Sequence, residues 1–503
     1  MIKNQSTNQL KYLILISFLI HLISINFFPT NFEGGYGQYS NLFSSNNKLL
    51  YIKTYYSAQF NTYIFSALGS VLNFLIPSIN GFQAIKIISA FSYFFLGFGL
   101  LNILKFYKFK ENLILFILII FLNSIIFSYG FRAFNDLFAF SLSIFALSRI
   151  LNNYNNKLIF FDALLLGFAI VIKSYNLIMI IPIIILFYNQ YRKTIELKKI
   201  IFTLKLIFIP VILWNTFTYN FLGFVLAPTN EDLEIAIIGS DKGRNYFWVL
   251  NNFIFYLGYL ALISTPFIFV SFFSIIKKND NKKILIILLI SLISSFYLQK
   301  FFFISSELDL GPLQSLLPEE IYKSIIIFLF IFFSLFVYLF LTSKELSKKK
   351  LDYCKIILIS ILMYLFALSF IKAAQRYLIL PIPFIYLIIF NYYQPKLLIY
   401  ITMSFYIIIN SILLANYYIV GESSKKILNF LESNQILENT APNVIVPHVY
   451  HLYFDPHILN KKKIIVKTSD YKITHYDKNS IFSSKINFFG YEFKKFSVIK
   501  LKK

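Results

Sequence analysis

The sequence predicts an all-α polytopic membrane bundle of about thirteen transmembrane helices, ending in a small C-terminal α+β extramembrane domain. Three observations carry this. Hydrophobic residues make up 58% of the 503 and charged residues only 14%, with a mean hydropathy of +0.68. A soluble domain is nearer half apolar and a quarter charged. Apolar runs long enough to cross about 30 Å of hydrocarbon recur along most of the chain. The basic residues behind the net charge of +24 fall in short clusters between those runs, as cytoplasmic loops do under the positive-inside rule. That distribution gives loops drawn to anionic membrane lipids and argues against nucleic acid as a partner.

The first run, Tyr12 to Phe28, follows Lys3 and Lys11 and lacks a small-residue cleavage site, so it reads as a retained helix leading outward. Residues 29–80 follow as a first outer loop. Within it, 61–78 is weakly apolar and is placed at the interface or as a re-entrant element, because a full crossing there would invert every later helix against the charge rule. Helices are then expected over 84–104, 112–130, 136–150, up to Ile172, 176–189, 201–220, 250–276, 284–300, 323–342, 356–371, 378–391 and 397–418. Basic clusters such as Lys105–Lys110, Arg192–Lys199, Lys277–Lys283 and Lys344–Lys350 end the inward helices. The N-terminus is then cytoplasmic and the C-terminus extracytoplasmic. Residues 1–419 form the membrane domain and 420–503 a polar α+β domain. The latter has a helix-like start (Ser424 to Glu432) and strand-like runs in "NVIVPHVY", "KIIVKT" and "EFKKFSVIKL".

Ionisable groups at membrane depth are costly and mark candidate sites. Glu33 lies just past the first helix in "NFEGGYGQYSNLF", beside Gly34 and Gly35; a surface acid and a general base both fit it. Asp136 opens a helix in "GFRAFNDLFAF", where Asn135 or Asp136 can cap it and Arg132 can pair with Asp136 four residues on. Lys173 ends the fifth helix, and Arg376 precedes the twelfth in "QRYLILPIPFIYL". Arg132, Lys173 and Arg376 are thus three cations on the outer side, against the positive-inside trend. A phosphate ligand, Asp136 or lipid headgroups would each partner them, arginine suiting phosphate through its planar fork. Asp162, one turn into the fifth helix, is read as snorkelling or pairing with Lys157, and His21 as bonding within the bundle. His448, His451, His457 and His475 match no strong metal motif, and the single Cys354 forms no disulfide framework. No metal site is predicted.

The order of these features resembles the GT-C membrane glycosyltransferases, in particular the branch of protein mannosyltransferases and lipid A aminoarabinose transferases. There an acidic residue follows the first helix, commonly as Asp-Glu-x-x-Tyr; here "FEGGYGQY" gives Glu33 with Tyr36 or Tyr39. An Arg-x-x-x-Asp pattern opens the fourth helix, here Arg132 and Asp136. A lysine marks the next outer turn, here Lys173 in "IVIKSYN". Late in the chain comes Arg-Tyr-Leu-x-Pro-x-x-Pro, here slightly reshuffled as Arg376, Tyr377, Pro381 and Pro383. The first loop has one acid where the pattern has two, and the Pro-Pro-x-x-Tyr stretch lacks its prolines.

The resemblance implies an enzyme of the bacterial plasma (inner) membrane. It would transfer a sugar from a polyprenyl-phosphate donor to a glycan, lipid or protein acceptor on the outer face, with no cofactor. Glu33 would be the general base; Arg132, Lys173 and Arg376 would hold the donor phosphate; Asp136, Tyr36 and Tyr377 would support them. A lipid-linked oligosaccharide flippase and a polysaccharide polymerase or ligase are the alternatives.

Overall fold

In hydrocarbon every backbone N–H and C=O has to be satisfied within its own segment, so long apolar runs close into helices. The structure, a computed structural model, describes residues 2–28, 62–106, 113–132, 134–152, 159–181, 197–222, 246–269, 272, 281–302, 318–342, 348–370, 375–392, 396–436, 440–441, 470–475, 477 and 480–501. The helices are α1 (Ile2–Leu22), α2 (Thr62–Leu75), α3 (Gly81–Phe106), α4 (Leu113–Leu122), α5 (Ser124–Phe131), α6 (Asn135–Asn152) and α7 (Ile159–Ile172). They continue as α8 (Leu197–Leu222), α9 (Tyr246–Ser264), α10 (Asn281–Leu298), α11 (Glu319–Thr342), α12 (Lys348–Ser369), α13 (Pro381–Tyr392) and α14 (Lys396–Ser433). Among the described residues five helices are long and apolar enough to cross a membrane, or six if the bent pair α4–α5 counts as one span. The chain is an integral membrane helical bundle, with fewer full-length spans described than the thirteen expected.

The differences have local causes. The run expected as one helix over 112–130 is two, bent by 64°. Asn123 sits at the break, its side chain accepting from Ile125 N at 3.2 Å and so capping α5. The run expected over 250–276 ends as a helix at Ser264, two residues before Pro266, which has no N–H to continue the ladder. The described start of the expected 176–189 helix is a 3₁₀ turn, Ser174–Met179. The uncertain 61–78 segment is α2, whose 14 residues reach about 21 Å, short of the hydrocarbon thickness. It packs on Ile85, Ile88, Phe138 and Ile172, all near the ends of their helices.

At one end of the bundle Arg149 Nε meets the buried Asp162 Oδ1 at 2.5 Å, tying α6 to α7. The expected partner Lys157 lies outside the described residues. At the other end α14 leaves the bundle and runs on without a break through Val420 to carry a sheet. Its strands are β1 (Thr440–Ala441), β2 (Tyr471–His475), β3 (Phe482–Phe488) and β4 (Tyr491–Lys500), in the order β1-β2-β4-β3. β1 pairs parallel to β2; β4 pairs antiparallel to β2 and β3. Ile473, Phe496 and Val498 of the sheet bury against Ile427 and Leu431 of α14. Strand β4 covers the expected "EFKKFSVIKL" to within one residue at each end; the other two expected strand runs lie outside the described residues. Near the point of exit the segment that follows α1 touches α14: a Cβ on Gly421 would stand 2.5 Å from Phe28 O, so only glycine admits that approach.

Candidate functional site

The sheet-bearing end gathers the charges Arg132, Asp136, Lys173 and Arg376, which the sequence reading expects on the outer side. Asp136 lies in the first turn of α6 and is fully buried. Its Oδ1 lies 3.2 Å from Lys173 Nζ and 3.9 Å from Arg376 Nε. Tyr175 donates its hydroxyl hydrogen to the same oxygen at 2.7 Å. The three partners come from the end of α7, the 3₁₀ turn after it and the 3₁₀ turn Gln375–Ile379 before α13. Residues about forty and two hundred and forty positions apart in the chain therefore meet on one carboxylate. Burial of a carboxylate is tolerable only with such counter-charges and hydrogen bonds. The second oxygen, Oδ2, is buried with no hydrogen-bond partner among the described residues.

The side chain of Asn135 reaches across to the neighbouring helix. Asn135 Nδ2 donates to Ile172 O at 3.3 Å, and Lys173 Nζ donates to Asn135 Oδ1 at 3.2 Å. Both bonds pin the end of α7 to the start of α6. Arg132 lies over the rings of Phe134 and Tyr129, at 4.7 and 5.9 Å. Tyr129 in turn interacts electrostatically with Arg132, Arg376, Asp136 and Tyr377, which makes these one cluster. Arg376 also lies over the Tyr377 ring at 5.5 Å. Tyr377 packs edge-on against Tyr175 at 5.2 Å, and its carbonyl accepts from Tyr364 OH at 2.9 Å. Among the described residues three cations, Arg132, Lys173 and Arg376, gather around the carboxylate of Asp136 within an aromatic frame. That arrangement suits an anion with several acceptor oxygens.

The structure brings together Arg132, Asp136, Lys173, Arg376 and Tyr377. Glu33 and Tyr36, like Tyr39, lie outside the described residues, as do His448, His451 and His457. Among the described residues no group of three His, Cys, Asp or Glu is placed to hold a metal.

Sequence reasoning missed four contributors. Tyr175, Asn135 and Tyr364 supply the hydrogen bonds and packing around the carboxylate; Tyr175 sits two residues past Lys173 and Asn135 just before Asp136, so proximity to a singled-out charge was the available signal. Lys86 is the fourth: a lysine one turn and a half into an apolar helix, buried, donating to Ser24 O at 2.8 Å and Phe27 O at 2.5 Å. Its ammonium lies 5.1 Å from the Tyr417 ring centroid. It ties α3 to the 3₁₀ turn Ile23–Asn26 that follows α1. His21 bonds as expected within the bundle, to Ser17 O at 2.6 Å, and stacks on Tyr93.

Toward the opposite end lies a narrow apolar slot lined by Ile103, Leu147, Met179, Ile361, Leu380 and Phe384. Met179 ends the 3₁₀ turn that begins just after Lys173. At about 2 Å per residue the slot starts about 12 Å from the cation cluster.

No family model matches the sequence, and no curated protein does. Among solved structures the chain is similar to ArnT from Cupriavidus metallidurans in the apo state. The TM-score is 0.48, the identity 10%, and the match covers 99% of this chain and 98% of that one.

Proposed function

We propose that the chain is a GT-C-type membrane glycosyltransferase. It would cross the membrane about thirteen times and move a sugar from a polyprenyl-phosphate donor to an acceptor on the outer face. The observation that supports this most is the convergence of Lys173 and Arg376 on the buried Asp136, with Arg132 in the same cluster. Asp136 fixes Lys173 and Arg376 in place, and the donor phosphate would bind against these cations and Arg132. In the transfer, the acceptor oxygen or nitrogen bonds to the anomeric carbon while that carbon's bond to the phosphate oxygen breaks. The electron pair goes to the departing lipid phosphate, and cations already held in position stabilise it without reorganising. The acceptor proton goes to Glu33 as general base. Tyr377 and Tyr36 frame the site. The apolar slot is where the first prenyl units of the donor would enter the bundle. Residues 420–503 form the extracytoplasmic domain.

The test is sugar transfer from a polyprenyl-phosphate donor in membranes. Glu33→Gln is expected to lower the rate by about 10²–10⁴, and full activity would remove the base assignment. Arg376→Ala is expected to weaken donor binding; unchanged affinity for the lipid phosphate would refute the phosphate reading. Reporters fused after Lys110 and after Val420 are expected on opposite sides of the membrane. Finding them on the same side would overturn the orientation.

A further inference from the structure

The C-terminal sheet carries a feature that the transfer reaction does not use. Strand β3 lies along α14, and three contacts set the alignment. Phe482 stacks on Phe430, with centroids 4.2 Å apart and planes at 8°. Lys426 Nζ donates to Lys485 O at 2.6 Å. Phe488 packs on Tyr418 at 5.7 Å. The strand therefore runs antiparallel to the helix, back toward the bundle. From Phe430 to Tyr418 the helix covers about 18 Å; from Phe482 to Phe488 the strand covers about 20 Å. The two lengths agree, so the hairpin tip stands at the level of Tyr418.

That level is where α14 leaves the membrane. The helix is free of charged residues from Leu397 to Gly421, about 37 Å of rise, and Glu422 is the first charge after it. Tyr418 packs against Phe27, which caps the 3₁₀ turn Ile23–Asn26 that follows α1, with centroids 5.1 Å apart. Tyr417, Tyr418, Phe27 and Phe28 thus form an aromatic band of the kind found at membrane–water interfaces.

The tip itself is built to expose aromatic surface. Phe488 and Tyr491 are the closing pair of a two-residue turn, with Phe489 at φ 48° and Gly490 at φ 82°. A turn with positive φ at both central residues favours Asn, Asp or Gly at the first of them. Phenylalanine is disfavoured in that backbone region. Here it is present all the same, 88% exposed, with Tyr491 72% exposed beside it. In water a strained, exposed phenylalanine brings no gain. At a headgroup–acyl boundary it does, because ring burial there is favourable and tyrosine keeps its hydroxyl wet. The hairpin Ile481–Lys500 also carries Lys485, Lys494, Lys495 and Lys500 against the single acid Glu492, a balance that attracts anionic lipid.

We propose that the β3–β4 hairpin is an interfacial membrane anchor. Phe489 and Tyr491 seat in the headgroup–acyl boundary of the leaflet through which α14 emerges, and hold the sheet against the bilayer beside the bundle. The inference is independent of the glycosyltransferase reading.

The test uses the full chain in vesicles of phosphatidylethanolamine and phosphatidylglycerol. A nitroxide is attached at Phe489→Cys in a Cys354→Ser background, and its collisions with oxygen and with a water-soluble nickel chelate are compared. A nitroxide at Ser433→Cys, about 22 Å farther along α14 from Tyr418, is the aqueous control. The expected result is a ratio of oxygen to nickel accessibility several-fold higher at 489 than at 433. Equal ratios, with nickel reaching both, would place the tip in water and overturn the proposal. Exclusion of both reagents at 489 would mean that protein covers the tip, a second copy or another partner, and would overturn it as well. Tyr491→Cys provides the same readout should Phe489→Cys fail to fold.

Discussion

Replacing Asp136 by asparagine removes the one carboxylate that faces Lys173 at 3.2 Å, Arg376 at 3.9 Å and the Tyr175 hydroxyl at 2.7 Å. The change is nearly isosteric, so its effect is electrostatic. Lys173 loses its counter-ion while its side chain is only 14% exposed. The asparagine amide nitrogen would also occupy the place of Oδ2, which has no hydrogen-bond partner among the described residues. Breaking a buried pair by removing one partner costs about 3–5 kcal/mol. An unfolding entropy of about 2 cal/mol/K per residue over 503 residues turns this into a midpoint fall of about 3–5 °C. The assay is thermal unfolding of the purified protein in detergent, read by static light scattering. Lys173→Met in the same background removes the stranded cation. The remaining Arg376 is 32% exposed and can hydrate. The double variant is therefore expected to be more stable than the sum of the single effects by about 0.5–3 kcal/mol. Additivity within about 0.3–0.5 kcal/mol, or an Asp136→Asn midpoint equal to that of the unaltered chain, would refute the claim that this carboxylate holds the cations.

The ion pair at the opposite end should respond asymmetrically. Arg149→Met strands Asp162, whose side chain is 3% exposed, whereas Asp162→Asn leaves an arginine that reaches water; the first is expected to lower the unfolding midpoint more, and the reverse order would contradict the burial argument. Lys86→Met removes two hydrogen bonds to Ser24 O and Phe27 O, and leaving such carbonyls unsatisfied costs about 1–3 kcal/mol each. Faster proteolysis of the segment after Phe28 measures it, and an unchanged cleavage rate would count against Lys86 as the tie between α3 and the turn after α1. Asn123→Leu deletes the cap of α5 and the bond to Tyr406 OH at 3.3 Å. A loss of about 1–2 kcal/mol is expected from the cap alone, checked by the same unfolding assay. Gly421→Val drives a side chain into Phe28 O, and cross-linking between a cysteine at Phe28 and one on α14 near position 421 is expected to fall; an unchanged yield would count against that contact.

Much of the architecture was legible without coordinates because the solvent imposes it. A residue composition so apolar, interrupted by lysine clusters, leaves helices as the main option, and the described helices follow the expected runs. The places where the reading slipped are those where one residue outweighs the hydropathy of its neighbours. Asn123 breaks an otherwise continuous apolar run, and Pro266 ends another. At the last helix the apolar run stops near 420, but helix propensity does not, so α14 continues out of the bundle as the support of the sheet.

For the site, the sequence by itself determined which charges are anomalous: Arg132, Asp136, Lys173 and Arg376 stand out because ionisable groups at membrane depth are rare and expensive. It also placed them on one side, because helix parity and the lysine clusters fix direction. Only the tertiary structure decided which charges meet. Arg132, four residues from Asp136, is found over the rings of Phe134 and Tyr129, while Lys173 and Arg376 reach the carboxylate from distant segments. Helical spacing limits what can pair locally, but a buried carboxylate takes its counter-ions from whatever segments the packing delivers within a few ångströms, and that is a property of the assembled bundle.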